Sequence, residues 1–169
     1  MRSESHHDAL YEAHRPALVR YLARFAGDPE LAEDAAQEAF VRLAERPPGS
    51  DANLRAWLFT VATRIALDQA RSRRRRDALL EAASGRPAMG DPPDRPDEAL
   101  DKAEIRRRVR AALDTLDEKE RTVLLMREEG FAHREIAEAV GTTTGSVGTM
   151  IARALRKLAD RLPAGTEAA

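Results

Sequence analysis

Residues 131–162 read FAHREIAEAVGTTTGSVGTMIARALRKLADRL. Ile136, Ala137 and Val140 recur at helical spacing, which predicts a short helix with one inner face. Gly141 follows, and glycine readily takes the positive φ that ends a helix. A second helix is predicted from Thr144. Val147, Ile151, Ala154, Leu155, Leu158 and Leu162 share one side of it. Gly145, Ser146, Thr149, Arg153 and Arg156 share the other. Ala137 is small where the two helices would cross. A short helix, a tight turn and a longer helix make a helix-turn-helix. Short polar residues at the start of the last helix, followed by arginines, suit a helix that enters the major groove and grips phosphates. The candidate DNA contacts here are Thr144, Gly145, Ser146, Thr149, Arg153 and Arg156. An αα-hairpin used as a protein-contact surface would share the same spacing.

The rest of the chain is helical in character too. Only 4% of the 169 residues are aromatic, while 34% are charged. The apolar residues are mostly Ala, Leu and Val, a mixture that favours packed amphipathic helices over a β-sandwich. The expected fold is all-α. The absence of cysteine excludes disulfides and thiolate metal sites. The start MRSESHHDAL lacks the apolar core of a secretory signal, and no apolar run approaches the ~20 residues of a membrane helix. A cytoplasmic location without membrane insertion is expected. His6, His7 and His14 are not expected to hold a metal. No Ser/His/Asp set, phosphate loop or paired acid site is present, so neither catalysis nor a cofactor is expected.

The formal net charge is -1, from 28 basic and 29 acidic residues. The distribution is uneven. Arg64, Arg71, Arg73, Arg74, Arg75 and Arg76 form a dense basic cluster. Acidic residues gather at 28–38 and at 91–104. A near-neutral total can thus hide one cationic and one anionic face.

Three units are expected: a helical block over 8–76, a linker over 77–96, and a second helical block over 97–162 with its helix-turn-helix at about 132–158. The linker core, SGRPAMGDPPDRP at 84–96, reads as a flexible tether. In the first block, one helix is predicted to end at Gly27, with Pro16 kinking or splitting it. Asp28-Pro29 then has the form of an N-cap and first helical residue. A third helix is predicted from Leu54, capped by Asn53. Its apolar face carries Trp57, Leu58, Val61 and Ile65, with Thr60, Thr63, Arg64 and Arg71 opposite. In the second block a helix up to Leu116 carries Leu100, Ala103, Val109 and Leu113 as apolar residues. Asp117 to Glu120 has the spacing of a capping box.

Together the two blocks resemble a bacterial RNA polymerase sigma factor of the small, extracytoplasmic-function (ECF) type. AEDAAQEAF at 32–40 and WLFTVATRIALDQARSRRRR at 57–76 are similar to motifs of sigma region 2. ALDTLDEKERTVLLM at 112–126, EIAEAVG at 135–141 and GSV at 145–147 are similar to region 4. The resemblance implies that Glu33, Asp34, Gln37 and Glu38 bind core RNA polymerase through its β′ coiled-coil clamp. It implies that region 2 engages and helps open the −10 element. Candidates there are the loop Arg46 to Asn53 with Thr60 and Arg64, and Arg71 and Arg73 to Arg76 on phosphates. It implies that region 4 reads the −35 element, and that an anti-sigma partner masks both faces. Trp57 is expected in the core, and Asp68 as a structural carboxylate paired with Arg71. Two other readings of the residues are a dimeric stand-alone helix-turn-helix regulator and a helical adaptor that binds no DNA.

The chain also departs from the family pattern. Arg64 stands where many relatives carry Asn. Ala132 replaces the usual Ser or Thr cap, a loss of roughly 1 kcal/mol. Gly148 and Met150 replace the usual Lys and Arg of the recognition helix.

Overall fold

A computed structural model describes residues 2–49, 53–84 and 99–162. Within them lie seven helices and no strand. The N-terminal block is α1 (Arg2–Ala26), α2 (Pro29–Glu45) and α3 (Leu54–Ser84). The C-terminal block is α4 (Ala99–Asp114), α5 (Glu118–Glu128), α6 (His133–Val140) and α7 (Thr144–Ala159).

The expected start and stop signals act as the sequence suggests. Gly27 takes φ 72° and ends α1. The Asp28 side chain accepts from the N–H groups of Glu30 and Leu31, so two free donors at the start of α2 are satisfied. Asn53 Oδ1 accepts from Ala56 N–H at 3.1 Å and caps α3. Asp117 and Glu120 form a reciprocal capping box on α5. Gly141 closes α6 at φ 65°. At Ala132 only half a box survives: the Glu135 side chain accepts the Ala132 N–H at 2.7 Å, and no side chain returns the bond. Pro16 leaves α1 unbroken.

Alternating large and small residues pack the N-terminal block. Leu18, Tyr21, Leu22 and Phe25 of α1 meet Leu31, Ala35 and Ala39 of α2 and Leu58, Phe59, Ala62 and Ile65 of α3. The alanines let the helices approach closely, and Trp57 packs half-buried against the same core. Thr63, expected on the solvent side of α3, is buried instead. Its hydroxyl lies 2.9 Å from the Tyr21 hydroxyl and also donates to the Phe59 carbonyl. The face of α3 seen by α1 is therefore wider than its apolar stripe, because a Thr that bonds its own backbone can enter a core.

Three further expectations change. The helix α3 continues through residues 77–84, where the linker was expected to begin. Val109 and Leu155 are exposed, not buried, because α4 and the end of α7 are covered on one narrow side only. Most consequentially, the two blocks share a core. Val123, Leu125, Met126, Phe131, Ile136, Ala137 and Val147 join the cluster built by α1, α2 and α3. Among the described residues, Leu113, Leu116, Leu124 and Ala154 form a separate group, with Leu158 beside it.

Candidate nucleic-acid interface

The recognition-helix candidate α7 begins at Thr143, whose hydroxyl accepts from Ser146 N–H at 3.3 Å. Ser146 Oγ lies 2.8 Å from the same hydroxyl, so the Ser146 side chain serves the cap. Val147 and Ala154 are buried against α5 and α6. Thr144, Gly145, Thr149, Arg153 and Arg156 are exposed along the outer side of α7. A clamp that sequence reasoning missed fixes the helix. Lys157 Nζ donates to both oxygens of Glu120, at 2.6 and 2.8 Å. Glu120 is 2% exposed and also accepts the Asp117 N–H. One carboxylate therefore caps α5 and ties α7 to it. The capping-box spacing identified Glu120, but nothing local pointed to Lys157.

The basic cluster on α3 divides into two sets. Arg64, Arg74, Arg75 and Arg76 are exposed. Among the described residues Arg75 reaches only Ser72 Oγ, at 3.1 Å. Arg73 is bound to Asp28, the cap of α2. Arg71 is bound not to Asp68 but to Glu118 at the start of α5. Asp68 instead lines an open groove with Asp34, Ser72, Arg73 and Arg76. Thr60 donates to the Ala56 carbonyl at 2.7 Å and is half-buried. Asn53 Nδ2 donates to Glu135 on α6. Residues 50–52 of the loop expected to hold a base lie outside the described residues, as do the side chains of His6 and His7.

On α2, Glu33, Asp34 and Gln37 are exposed and Glu38 is half-buried. Glu33 pairs with Arg15 at 2.5 Å, and Glu38 pairs with Arg42 at 3.0 Å. Asp34 has no ion pair among the described residues. These exposed pairs contribute little stability, on the order of 0–1 kcal/mol each, so an outside cation can displace them.

Region 2 of the sigma-70 family matches residues 10–76, and region 4 of the same family matches 106–158. This chain belongs to the sigma-70 family. Within that family it groups with ECF sigma factors. It is 36% identical over 155 residues to the ECF RNA polymerase sigma factor SigL of Mycobacterium tuberculosis, covering 89% of this chain and 85% of SigL. It is 34% identical to the probable ECF RNA polymerase sigma factor SigI of the same species, covering 98% of this chain. The chain spans 60% of the length of SigI. Among solved structures, CnrH in complex with the cytosolic domain of CnrY matches with a TM-score of 0.68 at 24% identity, over 93% of this chain and 87% of CnrH. The sigma factor RpoE of Bartonella quintana, solved with the anti-sigma factor NepR, matches with a TM-score of 0.66 at 21% identity, over 94% and 97%. These likenesses carry the sigma fold across both regions. α1 to α3 are therefore sigma region 2, and α4 to α7 contain region 4. No described helix is long and apolar enough to cross a membrane.

Proposed function

We propose that this sigma-70-family chain binds core RNA polymerase and directs it to promoters as a non-catalytic specificity subunit in the cytoplasm. The carrying observation is the pairing of two exposed surfaces in one chain. One is the outer face of α7, seated by the Glu120–Lys157 clamp; the other is the exposed part of the α3 arginine cluster. α7 would enter the major groove of the −35 element. Thr144, Gly145 and Thr149 would face base edges, and Arg153 and Arg156 would hold phosphates. Ser146, already engaged by Thr143, would approach through its cap.

Region 2 would engage the −10 element through Asn53, Thr60, Arg64, Arg71 and Arg73 to Arg76. The free arginines would contact the backbone of the opened strand. Glu33, Asp34, Gln37 and Glu38 would dock on the basic β′ clamp, with Asp34 the acidic residue that makes no ion pair among the described residues. The solved relatives in complex with NepR and with the cytosolic domain of CnrY support an anti-sigma regulator as a partner of this chain.

The test is a pull-down with core polymerase, then transcription from a genomic promoter library with transcript mapping. Specific start sites are expected. Asp34→Lys should weaken polymerase capture without altering promoter choice. Arg153→Ala with Arg156→Ala should weaken binding across sequences and reduce its salt dependence by roughly one to two ions. No capture of polymerase by the native chain would overturn the reading.

A further inference from the structure

Gly148 and Met150 stand where the family pattern has Lys and Arg, and the structure separates the two positions. Met150 packs half-buried against the shared core. Gly148 is exposed, at the edge of the outer face of α7. A Cβ built there would meet one side chain, the His133 imidazole, with its Cε1 at 3.9 Å. His133 opens α6, so its ring reaches the flank of α7 from the neighbouring helix. The ring is half-buried and makes no hydrogen bond or ion pair among the described residues. No buried side-chain nitrogen among those residues lacks a partner. The ring nitrogens of His133 therefore open to solvent. The charged groups of the surrounding elements are engaged with other partners. On α6, Glu135 accepts from Ala132 N–H and from Asn53, and Glu138 lies 4.0 Å from Arg134. At the end of α5, Arg127 donates to the Phe131 carbonyl at 3.5 Å, and Glu128 and Glu129 hold Arg24. On α3, Arg55 stacks over Phe131 and donates to the Glu129 carbonyl. Between Thr144 and Met150, α7 carries no charge.

We propose that His133 is a phosphate contact of region 4, supplying from α6 the cation that α7 lacks at Gly148. The proposal rests on the sigma reading above and deepens it. Gly148 and Arg153 lie about 140° apart round α7 at ~100° per residue, on either side of Thr149. A helix in the major groove has a sugar-phosphate wall along each flank. With Thr149 towards the base edges, Arg153 faces one wall and His133 the other. Gly148 presents no side chain, so the DNA backbone can come close to the imidazole. Imidazole is the side chain whose ordinary titration falls between about pH 5 and 8. The protonated ring donates a charge-assisted bond to phosphate, about twice as strong as that of the neutral ring. This contact therefore strengthens as pH falls, whereas those of Arg153 and Arg156 keep their charge throughout.

The test uses the full chain with core polymerase and a promoter duplex taken from the mapped start sites. At about pH 6 the native complex should bind about five- to tenfold tighter than the His133→Ala complex. At about pH 8 the difference should shrink to about twofold or less. Comparing the two chains at each pH removes the response of polymerase itself. His133→Lys should bind at least as tightly as the native chain at both values. His133→Ala with Gly148→Lys should regain the native level. Single phosphates beside the −35 element are then replaced by neutral methylphosphonates. At one position the replacement should weaken the native complex about fivefold and leave the His133→Ala complex unchanged. That loss should be equal on promoters with different −35 bases, as a backbone contact requires. Equal affinity of the native and His133→Ala chains at the lower pH would overturn the contact and leave the sigma reading intact. So would an affinity ratio that does not change with pH, which marks a structural role, or the lack of any phosphate that separates the two chains. If the native chain captures no polymerase at all, both readings fall together.

Discussion

Regions 2 and 4 are both helical, yet they reach stability by different routes. Region 2 brings three long helices together around Tyr21, Leu22, Leu58 and Phe59, and its alanine-rich α2 closes the core from one side. Region 4 is built from shorter helices. Its separate apolar group contains four buried residues, and seven others between Val123 and Val147 join the region 2 core. Short helices have few apolar positions each, so their inner faces are completed by tertiary packing rather than by their own length. Region 4 thus completes its core against region 2, whereas region 2 supplies most of its own. α4 shows the extreme case, with Ile105 and Val109 left exposed.

The contrast can be broken most strongly at Phe131, which is 1% exposed where the two regions meet. Phe131→Ala should cost about 3–5 kcal/mol. Hydrogen exchange should rise in α5 and α6 and change little in α1 and α2. Equal loss of protection in all four helices would mean that region 2 leans on region 4 just as heavily. A smaller effect is expected at Glu120, where Glu120→Ala removes a cap and the bond to Lys157. A loss of about 1–3 kcal/mol is expected, read as a lower melting temperature and faster exchange in α7. Promoter affinity should fall with it, because the outer face of α7 is no longer held in one orientation.

Within region 2, Tyr21→Phe should cost about 1 kcal/mol, since Thr63 keeps its bond to the Phe59 carbonyl. This site also sets an alkaline limit. Burial pushes the Tyr21 phenol well above its ordinary value of 10.0, only partly opposed by the bond to Thr63. The folded chain thus keeps a proton that the unfolded chain loses. Stability should fall as pH rises past about 10, and the Phe variant should lose that part of the slope. Denaturation midpoints between pH 8 and pH 11 — set as the experimental range at roughly ordinary tyrosine values — would read it. The smallest effect runs the other way. Gly148→Ala on α7 meets only His133 Cε1, at an ordinary 3.9 Å. It should stabilise region 4 by up to about 1 kcal/mol, sharpening the view that region 4 is the weaker partner.

Much of this was legible in the chain. Caps are local chemistry, so Asp28, Asn53, Asp117 and Gly141 could be placed from sequence, and all four act at their helix ends. The outer face of α7 was legible for the same reason: period and polarity are properties of one helix. Thr63 and Leu155 were misassigned because period gives a face but not the width of the partner that covers it. The pairing of Arg71 with Glu118, where Asp68 was expected, shows the same gap. A neighbour one turn away on α3 is visible in sequence, whereas a carboxylate 47 positions along the chain is not.

The sequence by itself determined the helices, most of their ends and the order of the two sigma regions. Those follow from short-range backbone chemistry and helical period, together with motifs that lie within single segments. The tertiary structure alone decided that Phe131 sits against Phe59, that Glu118 and Glu135 take Arg71 and Asn53, and that Lys157 anchors α7. Each of these depends on which apolar faces meet and which charges that meeting brings together. Burial rewards many such meetings almost equally, so no local pattern could choose among them.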